Sequence, residues 1–159
     1  MSATPASGIE GLLMAALQFF ADTNLLVYAR DANEPEKRER ARAWMDRLWH
    51  DRNGCLSYQV LQEFYITVTQ KLNPAMPAAE ARQDIRALVA WQPVRTDVAI
   101  LEAAWRLQEQ FLLSWWDALI VAAAEWSSAD YLLTEGLQEG QDLNGIRVMN
   151  PFRQDPGSV

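Results

Sequence analysis

The strongest structural signal in the chain is Leu17-Gln-Phe-Phe-Ala-Asp-Thr-Asn-Leu-Leu-Val-Tyr28. Its first five residues form a compact apolar run, which is typical of a buried strand, and the rest follows helical spacing. Asp22 lies at the boundary, where its side chain is of a type that often caps a helix. We therefore predict a strand over 17–21 that leads directly into a short helix ending near Tyr28. This places an acid at the carboxyl end of the strand.

The alternation of strand and helix continues along the chain. Short apolar runs predict further strands over 55–57, 93–96, 131–134 and 146–149. Apolar residues at helical spacing predict helices over 34–49, 59–71, 78–90, 98–111 and 115–126. This order predicts an α/β fold with three α/β/α layers around a central, mostly parallel sheet. Such sheets bind ligands at the carboxyl ends of their strands.

Length and composition indicate one domain. The chain has 159 residues, half of them apolar, which suffices for one sizeable core. We place the domain over 17–152, between a loose N-terminal arm over 1–16 and a C-terminal tail over 153–159. The apolar run at 11–17 is too short to span a membrane and follows no Lys or Arg. The lone Cys55 excludes an internal disulfide and fits a reducing compartment, so we expect a cytoplasmic protein without membrane association.

Four acids lie where strand-like runs end or helix-like runs begin: Asp22, Glu63, Asp117 and Glu135. Acids placed in this way meet at one edge of a parallel sheet. Carboxylates that crowd together raise one another's pKa unless a cation neutralises them. The pattern therefore indicates a bound cation.

The available side chains restrict the identity of that cation. The chain has one histidine, His50, and one cysteine, Cys55, so it lacks the ligand sets of zinc sites. Oxygen-only ligands suit a hard divalent ion. We predict Mg²⁺ or Mn²⁺.

Each acid also has a simpler structural interpretation. Asp22 fits an N-cap, and Ser114 with Asp117 fits a capping box in which Asp replaces the commoner Glu. Glu63 fits an exposed position on a helix. The sequence leaves these interpretations open, and capping is compatible with metal binding at Asp117, because the positive end of the helix keeps its carboxylate ionised.

The net charge limits the possible partners. At a formal −7, the chain does not have the basic surface that coats nucleic acid nonspecifically. A metal-dependent nuclease remains possible, since bound cations reverse the effect of acids on a phosphate. A basic protein segment would be attracted to this chain.

Four short motifs follow one another along the chain: FADTNLLVYA at 20–29, QEF at 62–64, SWWDALIVAA at 114–123 and LLTEGL at 132–137. Together with NPF at 150–152, they resemble the PIN domain and, more narrowly, the VapC-type toxin ribonucleases. The resemblance implies a compact α/β/α domain that cleaves RNA phosphodiester bonds with Mg²⁺ or Mn²⁺. It also implies a homodimer and an antitoxin protein that blocks the site, as in a type II toxin-antitoxin system.

The resemblance assigns roles residue by residue. The family's first three acids fall on Asp22, Glu63 and Asp117, which would hold one or two metal ions. Asn24 and Thr134 match polar positions that support the acids. In the implied reaction, a metal-activated water attacks the phosphate in line, so no nucleophile from the protein is needed.

The fourth acidic position departs from the family pattern. In related chains an aspartate follows one residue after the position of Glu135, and here that place is taken by Gly136. Glu135, with its longer side chain, is the candidate replacement. Asp142 is a poorer one, because a loop separates it from the strand end.

Two other functions fit the sequence. The first is a PIN-like scaffold in which Gly136 has removed catalysis and only binding remains. The second is a phosphoryl-accepting receiver-like domain, which is disfavoured because the only lysines, Lys37 and Lys71, do not follow a late strand. For a nuclease, the expected substrate contacts are the metal and three scattered arginines, Arg30, Arg82 and Arg86.

Overall fold

The computed structural model describes residues 17–159, so the predicted arm over 1–16 lies outside the described residues. The strands are β1 (Phe19–Ala21), β2 (Gly54–Cys55), β3 (Tyr131–Leu133), β4 (Asp142–Leu143) and β5 (Ile146–Met149). The helices are α1 (Thr23–Tyr28), α2 (Pro35–Asp51), α3 (Tyr58–Ile66), α4 (Ala78–Leu88), α5 (Val98–Gln110) and α6 (Trp115–Trp126). A π-helical turn (Thr67–Lys71) extends α3, and a 3-10 turn (Val89–Trp91) extends α4.

The strands form one sheet in the order β2-β1-β3-β5-β4. All neighbours are parallel except β4 and β5. The central strands pair in register, with Phe20 opposite Leu132 and Leu132 opposite Val148. This confirms the predicted three-layer α/β/α fold with a mostly parallel sheet.

The core is continuous between the sheet and its helices. Phe20 and Leu132 at the centre of the sheet are fully buried. All seven residues over 118–124 of α6 are buried, as expected for a helix that is apolar nearly all round. Burial of this helix fixes the position of its N-terminal turn relative to the sheet.

Four helices begin at a side chain that caps the first turn. Each cap accepts a hydrogen bond from a backbone N–H that would otherwise be unpaired. The pairs are Asp22 with Thr23 N, Ser57 with Val60 N, Asp97 with Ile100 N, and Ser114 with Asp117 N. Two of these caps, Asp22 and Ser114, also place acids at the edge of the sheet.

One predicted strand does not form, and one observed strand was not predicted. Residues 93–96 do not form a strand of the sheet, because Pro93 has no N–H to donate and only Val94 forms a bridge, to Ser57. Conversely, β4 was not predicted. It pairs with β5 across the two-residue turn Asn144-Gly145, in which both residues have positive φ, and Asn-Gly between strands is the usual signal for such a hairpin.

The predicted tail over 153–159 contacts the domain. The Trp44 indole N–H lies 2.9 Å from the Gln154 carbonyl oxygen and 3.0 Å from that of Pro151, and Arg40 pairs with Asp155 at 2.8 Å. The boundary at 152 stays a prediction. None of the helices described in 17–159 combines the length and the apolar character needed to cross a membrane.

The absence of a side chain at Gly54 is required by its neighbour. A Cβ built at Gly54 would lie 2.5 Å from the Trp91 ring, which in turn packs on Trp49 at 5.2 Å between ring centroids.

We expect Gly54→Ala to lower the free energy of unfolding by about 1–3 kcal/mol, because the Trp91 ring must be displaced. Chemical denaturation measures this. In a Trp91→Ala background the same substitution should cost much less, and Gly157→Ala, in open space, is the control. An equal cost in both backgrounds would contradict the contact.

Candidate functional site

All four predicted acids line one cavity of about 500 Å³ at the carboxyl ends of β1 and β3. Asp22 follows β1, Glu63 projects from α3, Asp117 lies in the first turn of α6, and Glu135 follows β3. Four segments that are far apart in sequence therefore bring acids to one edge of the sheet. Their roles in binding and catalysis stay predictions, but the structure brings the residues together.

Asp22 is the most constrained of these acids. One of its carboxylate oxygens accepts a hydrogen bond from Thr23 N at 2.7 Å, and the other accepts one from Thr134 Oγ1 at 2.8 Å. Burial raises the pKa of Asp22, the two hydrogen bonds oppose this, and the charges of Glu63 and Asp117 raise it further. Asp22 is therefore an N-cap and, at the same time, a partly buried acid whose pKa is raised by two neighbouring acids.

Glu63 is held by two side chains from different helices. Its Oε2 accepts a hydrogen bond from Thr23 Oγ1 at 2.7 Å, and its Oε1 accepts one from Gln59 Nε2 at 3.0 Å. Gln59 also donates to the Trp116 carbonyl at 3.4 Å. The carboxylate is thus tied to α1, α3 and α6 together, which is more than an exposed helix position would require.

Asp117 has fewer constraints. Its backbone N–H donates to Ser114 Oγ at 3.1 Å, so Ser114 is the cap of α6. Within residues 17–159 its carboxylate makes no hydrogen bond, so the reciprocal half of the predicted capping box does not form. The side chain is therefore available to a ligand in the cavity.

Glu135 is engaged by a residue that the sequence analysis did not assign to the site. Its carboxylate lies 2.9 Å from the ammonium of Lys37, near the start of α2. Lys37 Nζ also lies 4.5 Å from the centroid of the Tyr28 ring and 5.3 Å from that of Phe152. The one local signal for Lys37 is its place in the first turn of a helix, where a cation is unfavourable. The position of Lys37 in the helix does not indicate which acidic side chain compensates its charge.

The two residues predicted to support the acids, Asn24 and Thr134, lie at the acidic edge, and their supporting role stays a prediction. Thr134 is buried, and its hydroxyl accepts hydrogen bonds from Asn24 Nδ2 at 3.2 Å and from Gly136 N at 3.0 Å while it donates to Asp22. The amide oxygen of Asn24 is buried and has no hydrogen-bond partner in the described part of the chain. A buried unpaired acceptor is costly in a native protein unless a ligand or water satisfies it.

The carboxylate and amide oxygens of this cavity suit a hydrated divalent cation as their ligand. Among residues 17–159 no three His, Cys, Asp or Glu side chains converge closely enough to hold one ion between them. Mg²⁺ usually binds one or two carboxylates and keeps several water ligands, which need acceptors such as the Asn24 amide oxygen. The site therefore suits an ion with direct ligands from part of the acidic set and water-mediated contacts to the rest.

A comparison with known families identifies the fold. The PIN domain family model matches residues 19–137. The chain belongs to the PIN domain family. This confirms the family predicted from the sequence, and the matched range includes all four acids of this PIN domain.

Among solved structures, the PIN domain is similar to one described as a toxin-antitoxin complex from Klebsiella pneumoniae. The TM-score is 0.55 at 19% identity, over 84% of this chain and 98% of that one. At this identity the likeness supports the fold. No curated protein sequence matches this PIN domain.

Cys55 lies outside the acidic cavity, and its environment disfavours the reactive thiolate form. Burial raises the pKa of its thiol to about 11, so the reactive thiolate is scarce at pH 8. We expect the native protein to react with Ellman's reagent much more slowly than the unfolded chain in guanidinium. A stopped-flow comparison of the two rates, with glutathione as the control thiol, measures the difference. Equal rates would show that the thiol is accessible and ionised.

Proposed function

We propose that this PIN domain is a divalent-metal-dependent endoribonuclease and the toxin component of a type II toxin-antitoxin system. The observation that carries the proposal is the convergence of three partly buried acids, Asp22, Glu63 and Asp117, on one cavity at the sheet edge, where the pKa of Asp22 is raised. An uncompensated cluster of this kind is unfavourable, and a divalent cation would neutralise it. The cofactor proposed is Mg²⁺ or Mn²⁺.

Family membership supports nuclease chemistry, since PIN domains are generally nucleases. The antitoxin partner is supported by the description of the structural neighbour as a toxin-antitoxin complex. The choice of RNA over DNA rests on the sequence likeness to VapC-type toxins. The homodimer and the cytoplasmic location are proposed on the same likeness.

The residues of the cavity have distinct proposed tasks. Asp22, Glu63 and Asp117 would hold the cation, directly or through water. When bound, the ion would polarise a phosphate oxygen and lower the pKa of a bound water. The chain supplies orientation: Thr134 fixes one oxygen of Asp22, and Thr23 with Gln59 fixes both oxygens of Glu63. Asn24 would accept a hydrogen bond from a water in the cavity through its unpaired oxygen.

The arginines predicted to contact the substrate have different surroundings. Arg30 donates two hydrogen bonds to Asp84, so much of its charge is already compensated. Arg82 and Arg86 are exposed on α4. Of the three, these two remain available for an RNA phosphate.

A groove next to the acidic cavity suits a blocking partner. It has a volume of about 490 Å³ and is lined by Ile66, Thr67, Trp116 and Leu119 beside Glu63. The Ile66 and Trp116 side chains are exposed. An antitoxin segment with an apolar side chain for this groove and a basic one for the acids would cover the cavity.

The alternative function is a binding scaffold without catalysis. Gly136 favours it, since the family's fourth acid is missing, and so does the pairing of Glu135 with Lys37. A scaffold would still bind an antitoxin-like partner or a second copy of the chain, but it would cleave no RNA with any metal ion.

Removal of single charges tests the nuclease. We expect Asp22→Asn and Asp117→Asn each to reduce Mn²⁺-dependent cleavage of a labelled RNA by at least about a hundredfold, because each removes a proposed metal ligand. EDTA should abolish cleavage by the wild type. The exposed Glu102→Gln on α5 is the control for a lost carboxylate. Cleavage that survives both site variants, or that persists in EDTA, would show that the activity does not come from this site.

The missing fourth acid can be restored. A Cβ at Gly136 would meet only Thr134 Oγ1, at an ordinary 3.5 Å, so Gly136→Asp should fold, with a small loss of thermal stability in metal-free buffer because it adds a negative charge near Asp22. We expect it to tighten Mn²⁺ binding, measured by isothermal titration calorimetry, because it adds a carboxylate at the cavity. Gly136→Asn is the matched control without charge. Equal Mn²⁺ affinity in the two variants would mean that position 136 does not face the ion.

A further inference from the structure

Lys37 lies beside the acidic cavity and outside all of the family motifs in this sequence, whereas its partner Glu135 belongs to the motif at 132–137. Glu135 lines the cavity, and its carboxylate accepts from the Lys37 ammonium at 2.9 Å. Lys37 Nζ also lies 3.5 Å from the Tyr28 hydroxyl oxygen. The two side chains are 35% and 27% exposed, so solvent and ligands reach both.

The position of Lys37 has a local cost. It is the third residue of α2, after Pro35 and Glu36. A cation in this turn faces the positive end of the helix dipole, which is unfavourable. Glu135 compensates the charge, and the faces of the Tyr28 and Phe152 rings stabilise the ammonium further. Two rings, a hydroxyl and a carboxylate thus hold the ammonium at a defined place.

The ammonium has one donor left. Lys37 has three N–H groups, and within the described chain two partners account for two of them, Glu135 and the Tyr28 hydroxyl. Because the side chain is partly exposed and both of its partners line the cavity, the third N–H is free for a ligand bound at this end of the cavity. The preferred ligand of such a donor is an anionic oxygen, and in a nuclease this is a phosphate of the strand.

The same pairing affects Glu135. A carboxylate already bound to an ammonium is a weaker ligand for a divalent ion, because the ion must displace or face a positive charge. Next to the fourth acidic position, which Gly136 occupies, this chain therefore carries a neutral pair in place of a free acid.

We propose that Lys37 is a substrate-binding residue: its ammonium contacts an RNA phosphate, and its pairing with Glu135 keeps that carboxylate from acting as a metal ligand. The proposal rests on the proposed nuclease function and extends it. It assigns cation binding to Asp22, Glu63 and Asp117, and phosphate binding to Lys37.

The test uses two binding measurements that need no catalysis. Mn²⁺ binding is followed by electron paramagnetic resonance of the free ion. RNA binding is followed by fluorescence anisotropy of a fluorescein-labelled, mixed-sequence 12-nucleotide single strand in Ca²⁺, at several salt concentrations. The proteins are the full chain as wild type, Lys37→Met, Lys37→Arg and Glu135→Gln. Arg147→Met is the control for a lost cation, because Arg147 is exposed and lines neither the acidic cavity nor the groove beside Glu63.

The two affinities should change in opposite directions in Lys37→Met. We expect Mn²⁺ to bind roughly threefold to tenfold more tightly, since a positive charge is lost and Glu135 is freed. RNA should bind more weakly, and the slope of log K against log salt should fall by about 0.7, the value for one lost contact to a single strand. Lys37→Arg should retain the wild-type slope, and Arg147→Met should change neither affinity.

Glu135→Gln tests the other half of the proposal. The amide oxygen can still accept from Lys37, but one negative charge is lost and the ammonium is left uncompensated, so we expect Mn²⁺ to bind about twofold to fivefold more weakly. RNA should bind equally well or more tightly, because a negative charge near the phosphate is removed.

Several results would overturn the inference. A parallel loss of both affinities in Lys37→Met would show a structural role, and an unchanged RNA affinity would show no phosphate contact. A loss of Mn²⁺ binding of about tenfold or more in Glu135→Gln would make Glu135 a metal ligand. If the wild type binds neither Mn²⁺ nor RNA, the proposed nuclease function fails and the inference fails with it. If the wild type binds both and Lys37→Met does not differ, the inference fails alone.

Discussion

The partly buried carboxylate of Asp22 constrains the rest of the candidate site. It lies just past the central strand β1, where burial disfavours its charge and two neighbouring acids add to the repulsion. Two short hydrogen bonds to the Asp22 carboxylate stabilise its charged form. They come from Thr23 N at the start of α1 and from the Thr134 hydroxyl, just after β3. These bonds explain why the first helix begins where it does and why a polar side chain is tolerated at the fully buried position 134. They compensate the charge only in part, because the pKa of Asp22 remains raised.

The general architecture was accessible from the sequence because it depends on patterns that are local and repeated. An apolar run followed by a capping acid predicted β1 and α1, and the nearly all-apolar α6 was predicted as a buried helix. The errors have equally local causes. The run at 93–96 contains Pro93, which limits pairing to one bridge. The hairpin of β4 and β5 was missed because β4 has only two residues, although Asn144-Gly145 provided a usable signal.

The sequence predicted which acids line the cavity, but not the hydrogen bonds and ion pairs that these residues make. Asp22, Glu63, Asp117 and Glu135 were selected by their places at element ends, and the structure brings all four to one cavity. The Lys37–Glu135 pair joins residues 98 positions apart, and no periodicity carries information about such a contact. The same is true of the hydrogen bond from Thr23 to Glu63. Sequence patterns locate elements, whereas pairing between side chains on different elements depends on their packing.

The departure at Gly136 takes on a different meaning once Lys37 is considered. By itself, a glycine where relatives carry an acid indicates a lost ligand and an impaired enzyme. In this fold, however, the neighbouring acid is paired with an ammonium that is held by two aromatic rings. An acid at 136 would add negative charge next to Thr134 and Asp22, where the pKa of Asp22 is already raised. The glycine and the lysine therefore act in the same direction, since both lower the negative charge at this end of the cavity. A change in a family motif is best judged by the total charge that the folded site presents to its ligand.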